Sequence, residues 1–207
     1  NVFKDSSWGA GNLREVMQAG VELLGNQTGR FEEILSLARR SLEITGNKGS
    51  ILYGDARFLD RLFSMFLDAI RSGIAESFHI KDTASIAAVR RDAKIEKATA
   101  SLLTEVPLIF GGTEALETLS RLCSPFPSLM EIIAEAEKIK DVVYDFSLVR
   151  ELSYYTGPVI EVYIAGSRER ILTGGVYDNL FEKFSNKKSP ACGFAVNLTV
   201  LSEMQKG

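Results

Sequence analysis

The strongest constraint on the fold is a change of hydrophobic periodicity along the chain. From Leu13 to Leu24, apolar and polar residues partly alternate, which predicts a strand returning from a hairpin. From residue 142 onward the pattern is strand-like again, with predicted strands at 142–146, 158–165 and 170–172. The stretch from about 82 to 140 lacks this alternation. We therefore expect an α+β chain in which an antiparallel sheet is interrupted by an all-helical insertion.

Helical periodicity supports this division. A clear amphipathic helix is predicted from about Thr28 to Gly46, with one apolar face formed by Phe31, Ile34, Leu35, Ala38 and Leu42. A short strand is expected at 51–53, and Asp55 is expected to cap the helix that follows it. Within the insertion, Thr113 is expected to cap a helix after Gly111 and Gly112.

Composition narrows the class of protein. The chain has 207 residues, 45% hydrophobic and 25% charged, which fits one soluble core with one insertion. Its formal net charge of -3 gives no basic excess, so tRNA is an unlikely partner. Cys123 and Cys192 form no CxxC motif, which favours reduced thiols in the cytoplasm. No apolar run approaches the roughly 20 residues of a membrane helix, so no membrane association is expected.

The beginning of the chain bears on its domain organisation. The sequence starts at Asn1 without a methionine and enters almost directly into the strand-like residues Val2, Phe3 and Lys4. We expect residues 1–207 to be one core that lacks its N-terminal part.

Three segments scattered along the chain carry a recognisable combination of residues. Val2-Phe3-Lys4 and residues 14–22 are similar to a Phe-Arg strand followed by an Arg-x-Phe-x-Gln-x-Gly-x-Glu strand, with matches at Gln18, Gly20 and Glu22. Residues 148–157 are similar to the sequence Leu-Val-Arg-Gly-Leu-Asp-Tyr-Tyr. Residues 174–178 are similar to Gly-Gly-Arg-Tyr-Asp, and residues 193–201 to Gly-Phe-Ala-x-Gly-x-Glu-Arg-Leu.

In both content and order, these segments resemble class II histidyl-tRNA synthetases and their regulatory paralogue in histidine biosynthesis. A Tyr-Tyr pair or a Gly-Gly pair alone is an ordinary strand or turn feature; the joint order of the segments favours the family. The resemblance implies a class II aminoacyl-tRNA synthetase-like antiparallel sheet flanked by helices.

The resemblance also implies a histidine pocket. A carboxylate can accept an imidazole N–H, an amide can serve the amino-acid head, and tyrosines can supply flat walls. An arginine can hold the ligand carboxylate. The implied histidine-binding residues are Gln18, Glu22, Arg150, Tyr154, Tyr155, Gly174, Gly175 and Tyr177, with Arg14 and Ala195 as secondary candidates.

Departures from the family pattern argue against adenylate chemistry. Lys4 stands in place of the second-motif arginine, and Val200 stands in place of the third-motif arginine. Losing one such positive donor typically slows a reaction by about 100- to 1000-fold. No catalytic residue is therefore expected. Glu151, Ser153 and Val176 also differ from the family residues, which affects the pocket itself.

The leading functional hypothesis is a non-catalytic regulatory subunit of ATP phosphoribosyltransferase. By resemblance it would form a homodimer, dock onto and activate a short-form catalytic subunit, and bind free histidine for feedback control. The alternatives are a divergent active histidyl-tRNA synthetase and a synthetase-like interaction module in another pathway. No cofactor or metal is expected, since His79 is the only histidine and Asp55, Asp60 and Asp68 suit a helix cap and polar face.

Overall fold

The computed structural model gives the positions of the strands and helices. It describes residues 2–3, 15–25, 30–46, 49–66, 74, 77–78, 81–92, 96–148, 154–165, 167 and 169–204. The strands are β1 Val2–Phe3, β2 Glu15–Val16, β3 Gln18–Leu24, β4 Gly49–Asp55, β5 Phe110–Gly111, β6 Val143–Asp145, β7 Pro158–Ile164, β8 Leu172–Val176 and β9 Ala191–Asn197. The helices are α1 Arg30–Thr45, α2 Ala56–Ser64, α3 Thr83–Asp92, α4 Lys97–Glu105, α5 Thr113–Cys123, α6 Pro127–Ala136 and α7 Leu198–Met204.

The described strands form a mixed sheet and a separate hairpin. The sheet has the order β3-β9-β8-β7-β4-β6-β5, while β1 pairs only with β2. The pairs β3–β9, β8–β9 and β5–β6 are antiparallel, but β4 and β6 are parallel. The predicted α+β class is confirmed, with one correction: the sheet is not antiparallel throughout. A parallel pair needs a long crossover connection, and the helices between β4 and β6 provide it.

The chain divides into two compact units, residues 1–51 with 160–207 and residues 52–159. In the first unit, α1 packs on β3, β8 and β9 through the predicted apolar face. Ile34 and Ala38, in the middle of that face, are fully buried. Burying a large aliphatic side chain contributes about 1.5–3 kcal/mol, so this contact fixes the helix on the sheet. The helix ends at Gly46, whose φ of +70° favours glycine.

The second unit has an aromatic core beside an ionic cluster centred on the buried Asp55. The Phe58 and Phe146 rings meet edge to face with their centroids 4.9 Å apart, and Tyr53 contacts Phe146 in the same manner. At the start of α2, the buried Asp55 carboxylate accepts a hydrogen bond from the Arg57 backbone N–H at 2.9 Å. The Arg57 guanidinium bridges this carboxylate to Glu135 of α6, at 2.7 Å to each. The predicted Asp55 cap is confirmed, and it also ties α2 to α6.

Two details of the central segment differ from expectation. Residues 82–140 are not all helical, because Phe110 and Gly111 form β5 and pair with β6. Thr113 is not the cap of α5 but its first residue, and Gly112 occupies the cap position. The Glu114 carboxylate accepts a hydrogen bond from the Gly112 N–H at 2.8 Å and takes the capping role. Gly111 has a φ of +150°, which a glycine adopts readily and which turns the chain from β5 into α5.

The described part of the chain shows neither a metal-ligand cluster nor a membrane-spanning helix. In the ranges given above, no group of three His, Cys, Asp or Glu side chains converges as a metal site would require. No helix in those ranges is both long enough and apolar enough to cross a membrane. Cys123 and Cys192 are buried free thiols, and burial raises the pKa of Cys123 to about 12.

We predict that Asp55→Ala destabilises the protein strongly. The change removes the α2 cap, worth about 1 kcal/mol, and leaves the half-buried Arg57 with only its Glu135 partner. We expect a loss of about 2–4 kcal/mol in the free energy of unfolding, measured by urea denaturation. Asp60→Ala, an exposed position on the same helix, is the matched control and should cost less than about 1 kcal/mol. Equal losses for the two variants would contradict the role given to Asp55.

Candidate functional site

Most of the predicted site residues lie in the first unit. Gln18 and Glu22 are on β3, Gly174 and Gly175 are on β8, and Ala195 is on β9. Tyr177 directly follows β8. The three strands are neighbours in the sheet, so residues separated by more than 150 positions in sequence are brought together. Tyr154 and Tyr155 lie in the second unit, and Arg14 and Arg150 lie outside the described residues.

The strand register sorts these residues onto two faces. Gln18 pairs with Asn197, Glu22 with Gly193, and Gly193 in turn with Gly175. Because side chains alternate along a strand and paired residues share a face, one face can be defined from these pairs. This glycine face consists of Gln18, Gly20, Glu22, Leu24, Thr173, Gly175, Ala191, Gly193, Ala195 and Asn197.

The opposite face is covered by helices. It carries Ala19, Leu172 and Val196, which line one small apolar cavity together with Leu42 of α1 and Leu201 of α7. Both helices therefore pack on that side of the sheet. The glycine face is the side that α1 and α7 leave uncovered.

Small residues make much of the glycine face flat, and the polar side chains of Gln18 and Glu22 border this flat area. Gly20, Ala195 and Thr173 form one cross-strand row, and Glu22, Gly193 and Gly175 form the next. The Glu22 side chain lies over Gly193: a Cβ placed on Gly193 would be 2.7 Å from Glu22 Cδ. The flat area thus offers a carboxylate next to a surface with almost no side chains. Such a surface suits a planar ligand that donates N–H groups.

Glu22 is an exposed residue whose carboxyl is partly desolvated by its surroundings. This partial burial raises the pKa of the Glu22 carboxyl above its ordinary value. A carboxylate that has already lost part of its hydration gains more from a cationic or N–H donor ligand than a fully solvated one does. Glu22 is therefore the glycine-face acceptor that we expect a cationic or N–H donor ligand to use.

Gly174 belongs to the other face. It pairs with Phe194, and a Cβ at this position would lie 2.8 Å from Phe194 Cα. The glycine permits close approach of β8 to β9. Of the two predicted glycines, only Gly175 lies on the glycine face.

The end of β8 is fixed by an ion pair that the sequence did not reveal. The Tyr177 N–H donates to Ala191 O at 2.8 Å, and the Tyr177 side chain is buried. Next to it, Asp178 Oδ1 accepts hydrogen bonds from Arg30 at 2.5 Å and from the Ala191 N–H at 3.2 Å. Arg30 comes from the start of α1, so only the tertiary structure brings it to this position.

In the second unit, the Tyr154 and Tyr155 rings contact each other at an interplanar angle of 47°, with their centroids 4.8 Å apart. Tyr155 is buried, and the Gly157 carbonyl just beyond it accepts a hydrogen bond from the Ala56 N–H at 2.9 Å. The tyrosine pair is thereby held at the beginning of α2.

Comparison with known proteins gives this arrangement a family. The sequence model described as histidyl-tRNA synthetase matches residues 1–201 of the chain. The chain belongs to the histidyl-tRNA synthetase family.

Similar proteins carry two different names. An ATP phosphoribosyltransferase regulatory subunit from Caldanaerobacter subterraneus subsp. tengcongensis is 31% identical over 96% of the chain and 55% of its own length. A histidine–tRNA ligase from Pyrobaculum islandicum is 27% identical over 98% of the chain and 50% of its own length. The chain therefore spans about half the length of these curated relatives.

A solved structure confirms the fold. It is described as an ATP phosphoribosyltransferase regulatory subunit/histidyl-tRNA synthetase from Bacillus halodurans C. The TM-score is 0.75 at 24% identity, covering 92% of the chain and 53% of that structure. The predicted class II synthetase-like fold is confirmed.

Three positions at the end of β9 and the start of α7 depart from the histidyl-tRNA synthetase pattern, and all three have structural roles. Asn197 replaces a glycine; its side chain is buried and accepts a hydrogen bond from the Val200 N–H at 3.2 Å. Thr199 replaces a glutamate, and its Oγ1 accepts a hydrogen bond from the Met17 N–H at 2.8 Å. Val200 replaces the arginine and is itself buried. These residues fasten the start of α7 and supply no positive charge for a phosphate.

We predict that Glu22→Gln changes the pH dependence of stability. Because the folded-state pKa of Glu22 is raised, ionisation of this carboxyl opposes folding above that pKa, and the penalty disappears below the ordinary, unfolded-state value. The wild-type protein should gain stability relative to Glu22→Gln as the pH falls through the raised pKa. Glu22→Gln should be at least as stable as wild type at neutral pH. Urea denaturation from pH 7 to pH 4 measures this difference, and a parallel pH profile for the two proteins would contradict it.

Proposed function

We propose that this chain is part of a non-catalytic regulatory subunit of ATP phosphoribosyltransferase, which activates a short-form catalytic subunit and binds free histidine for feedback control. The observation that carries the proposal is the buried Val200 beside a glycine face that keeps Gln18, Glu22 and Gly193. The name of the Caldanaerobacter relative supports it. We further propose that the subunit works as a homodimer in the cytoplasm.

Histidine fits the chemistry of the glycine face. The partly desolvated Glu22 carboxylate can accept an imidazole N–H while the ring lies over Gly193 and Gly175. Gln18 lies four residues away on the same face of β3, so its amide can serve the amino-acid head. Tyr177 directly follows β8 at the edge of the glycine face. Ala195 adds only a methyl group to that face. The family resemblance adds Arg150, Tyr154 and Tyr155 as further ligand contacts and Arg14 as a secondary one.

The residues around α7 support binding without adenylation. Adenylate formation needs fixed positive charge at the phosphates of ATP. In place of the family arginine, Val200 buries an apolar side chain against the sheet. The Val200 backbone N–H donates a hydrogen bond to the Asn197 side chain at 3.2 Å, at the start of α7. A valine side chain supplies no positive charge for a phosphate.

Feedback control sets a thermodynamic condition. Histidine shifts the activity of a complex only if it binds one state of that complex more tightly than another. The glycine face continues directly into Tyr177 and Asp178, which are held by Arg30 and by the start of β9. A ligand that contacts Tyr177 could therefore change the position of Asp178 and of the loop that follows it.

Glu22→Gln is predicted to weaken histidine binding by about 10- to 100-fold. A hydrogen bond to a charged group contributes about 1.5–3 kcal/mol, which corresponds to a loss of that size. The measurement is titration calorimetry of the full-length protein with L-histidine. Glu32→Gln, an exposed glutamate on α1, is the matched control and should bind like wild type. Undetectable binding of millimolar histidine to the wild-type protein would exclude the sensor role.

The activator role and the enzymatic alternative are separated by two assays. We expect the full-length protein to raise the rate of ATP phosphoribosyltransferase catalytic subunits and to show no histidine-dependent ATP–pyrophosphate exchange. The active-synthetase alternative, supported by the Pyrobaculum relative, predicts the opposite in both assays. Val200→Arg tests the effect of the missing positive charge. If this single change restored ATP–pyrophosphate exchange, the rest of the adenylation site would have to be intact.

A further inference from the structure

The loop between β8 and β9 presents exposed aromatic and basic side chains. In this 179–190 loop, Phe184 is 84% exposed and Phe181 is 36% exposed. The loop also contains Lys183, Lys187 and Lys188, all exposed, against a single glutamate, Glu182. Its net charge of +2 contrasts with the net charge of -3 for the whole chain. Exposed apolar patches rimmed by polar residues mark interaction sites, whereas single exposed apolar side chains do not. This loop carries two exposed phenylalanines three residues apart together with three lysines.

The loop is ordered by its own hydrogen bonds. The Phe184 and Ser185 N–H groups both donate to Phe181 O, at 3.1 and 3.0 Å. Ser185 Oγ exchanges two hydrogen bonds of 3.3 Å with the Lys187 backbone. Phe184 is therefore displayed on a fixed turn. A preformed anchor loses little conformational entropy when it binds, which favours recognition.

The lysines remain available for an external partner. Among the described residues, the ion pair of this loop joins Lys188 Nζ to Glu182 at 4.0 Å, and the Lys188 side chain is 80% exposed. An exposed pair at this distance contributes almost nothing. The basic groups therefore flank Phe184 along the loop as a hydrated rim around an apolar anchor, which is the common layout of a protein interface.

We propose that the 179–190 loop docks the chain onto its protein partner, inserting Phe184 into an apolar recess rimmed by carboxylates. The inference rests on the proposed function, which makes that partner the catalytic phosphoribosyltransferase subunit. A protein is favoured over nucleic acid because three lysines on an otherwise acidic chain neutralise few phosphates. The 179–190 loop directly follows Asp178, which is fixed by Arg30 and by the Ala191 N–H, and Tyr177 precedes it at the end of β8.

The test compares Phe184→Ala with Phe110→Ala in binding the catalytic subunit. Phe110 is also exposed, at 63%, but lies in the second unit, so it controls for loss of a surface phenylalanine. With full-length proteins and surface plasmon resonance, Phe184→Ala should weaken binding at least about 10-fold at unchanged Tm, whereas Phe110→Ala should not. Lys187→Glu/Lys188→Glu should also weaken binding and reduce its salt dependence, relative to Lys97→Glu/Lys138→Glu.

The outcomes separate this inference from the proposed function. If wild type binds the catalytic subunit and Phe184→Ala binds equally well, the docking surface is overturned while the proposed function stands. If Phe110→Ala weakens binding to the catalytic subunit as much as Phe184→Ala does, the docking surface is also overturned. If wild type does not bind the subunit at all, both proposals fail. Loop variants that lose binding to a tRNA transcript but keep the catalytic subunit would assign the loop to nucleic acid and overturn the protein partner.

Discussion

The pairing register of β3, β9 and β8 is the constraint on which the first unit depends. Side chains alternate strictly along a strand, so a shift of one residue would exchange the two faces of the sheet. In the observed register, Val196 and Leu172 meet α1, while Glu22, Gly193 and Gly175 form a row on the other side. The apolar contact with α1 thus also sets the position of the polar face.

The same sheet shows how a family site can persist after part of its chemistry has been lost. Gln18, Gly20 and Glu22 follow the family pattern on one strand, while Asn197, Thr199 and Val200 depart from it directly after another. The departing residues are not merely neutral. They form hydrogen bonds and buried contacts that hold α7 against the start of β3. Restoring one charge would therefore disturb local structure as well as electrostatics.

Several features could be predicted from local sequence because they depend on near neighbours. The apolar face of α1, the Asp55 cap and the strands at both ends follow from side-chain periodicity and from capping chemistry. The glycine face itself could have been found from the alternation Gln18-x-Gly20-x-Glu22, matched by Gly193-x-Ala195-x-Asn197. The short strand β5 could not, because two residues show no periodicity and their pairing depends on β6.

The sequence by itself determined the fold class, the family and the residue types that a histidine pocket would need. The tertiary structure decided which of these residues share a surface. It separated Gly174 from Gly175, paired Arg30 with Asp178, and showed Val200 to be buried. The physical reason is range: periodicity and motifs encode contacts within a few residues. Strand register and ion pairs between elements depend on distances that are fixed only when the whole sheet and α1 have packed together.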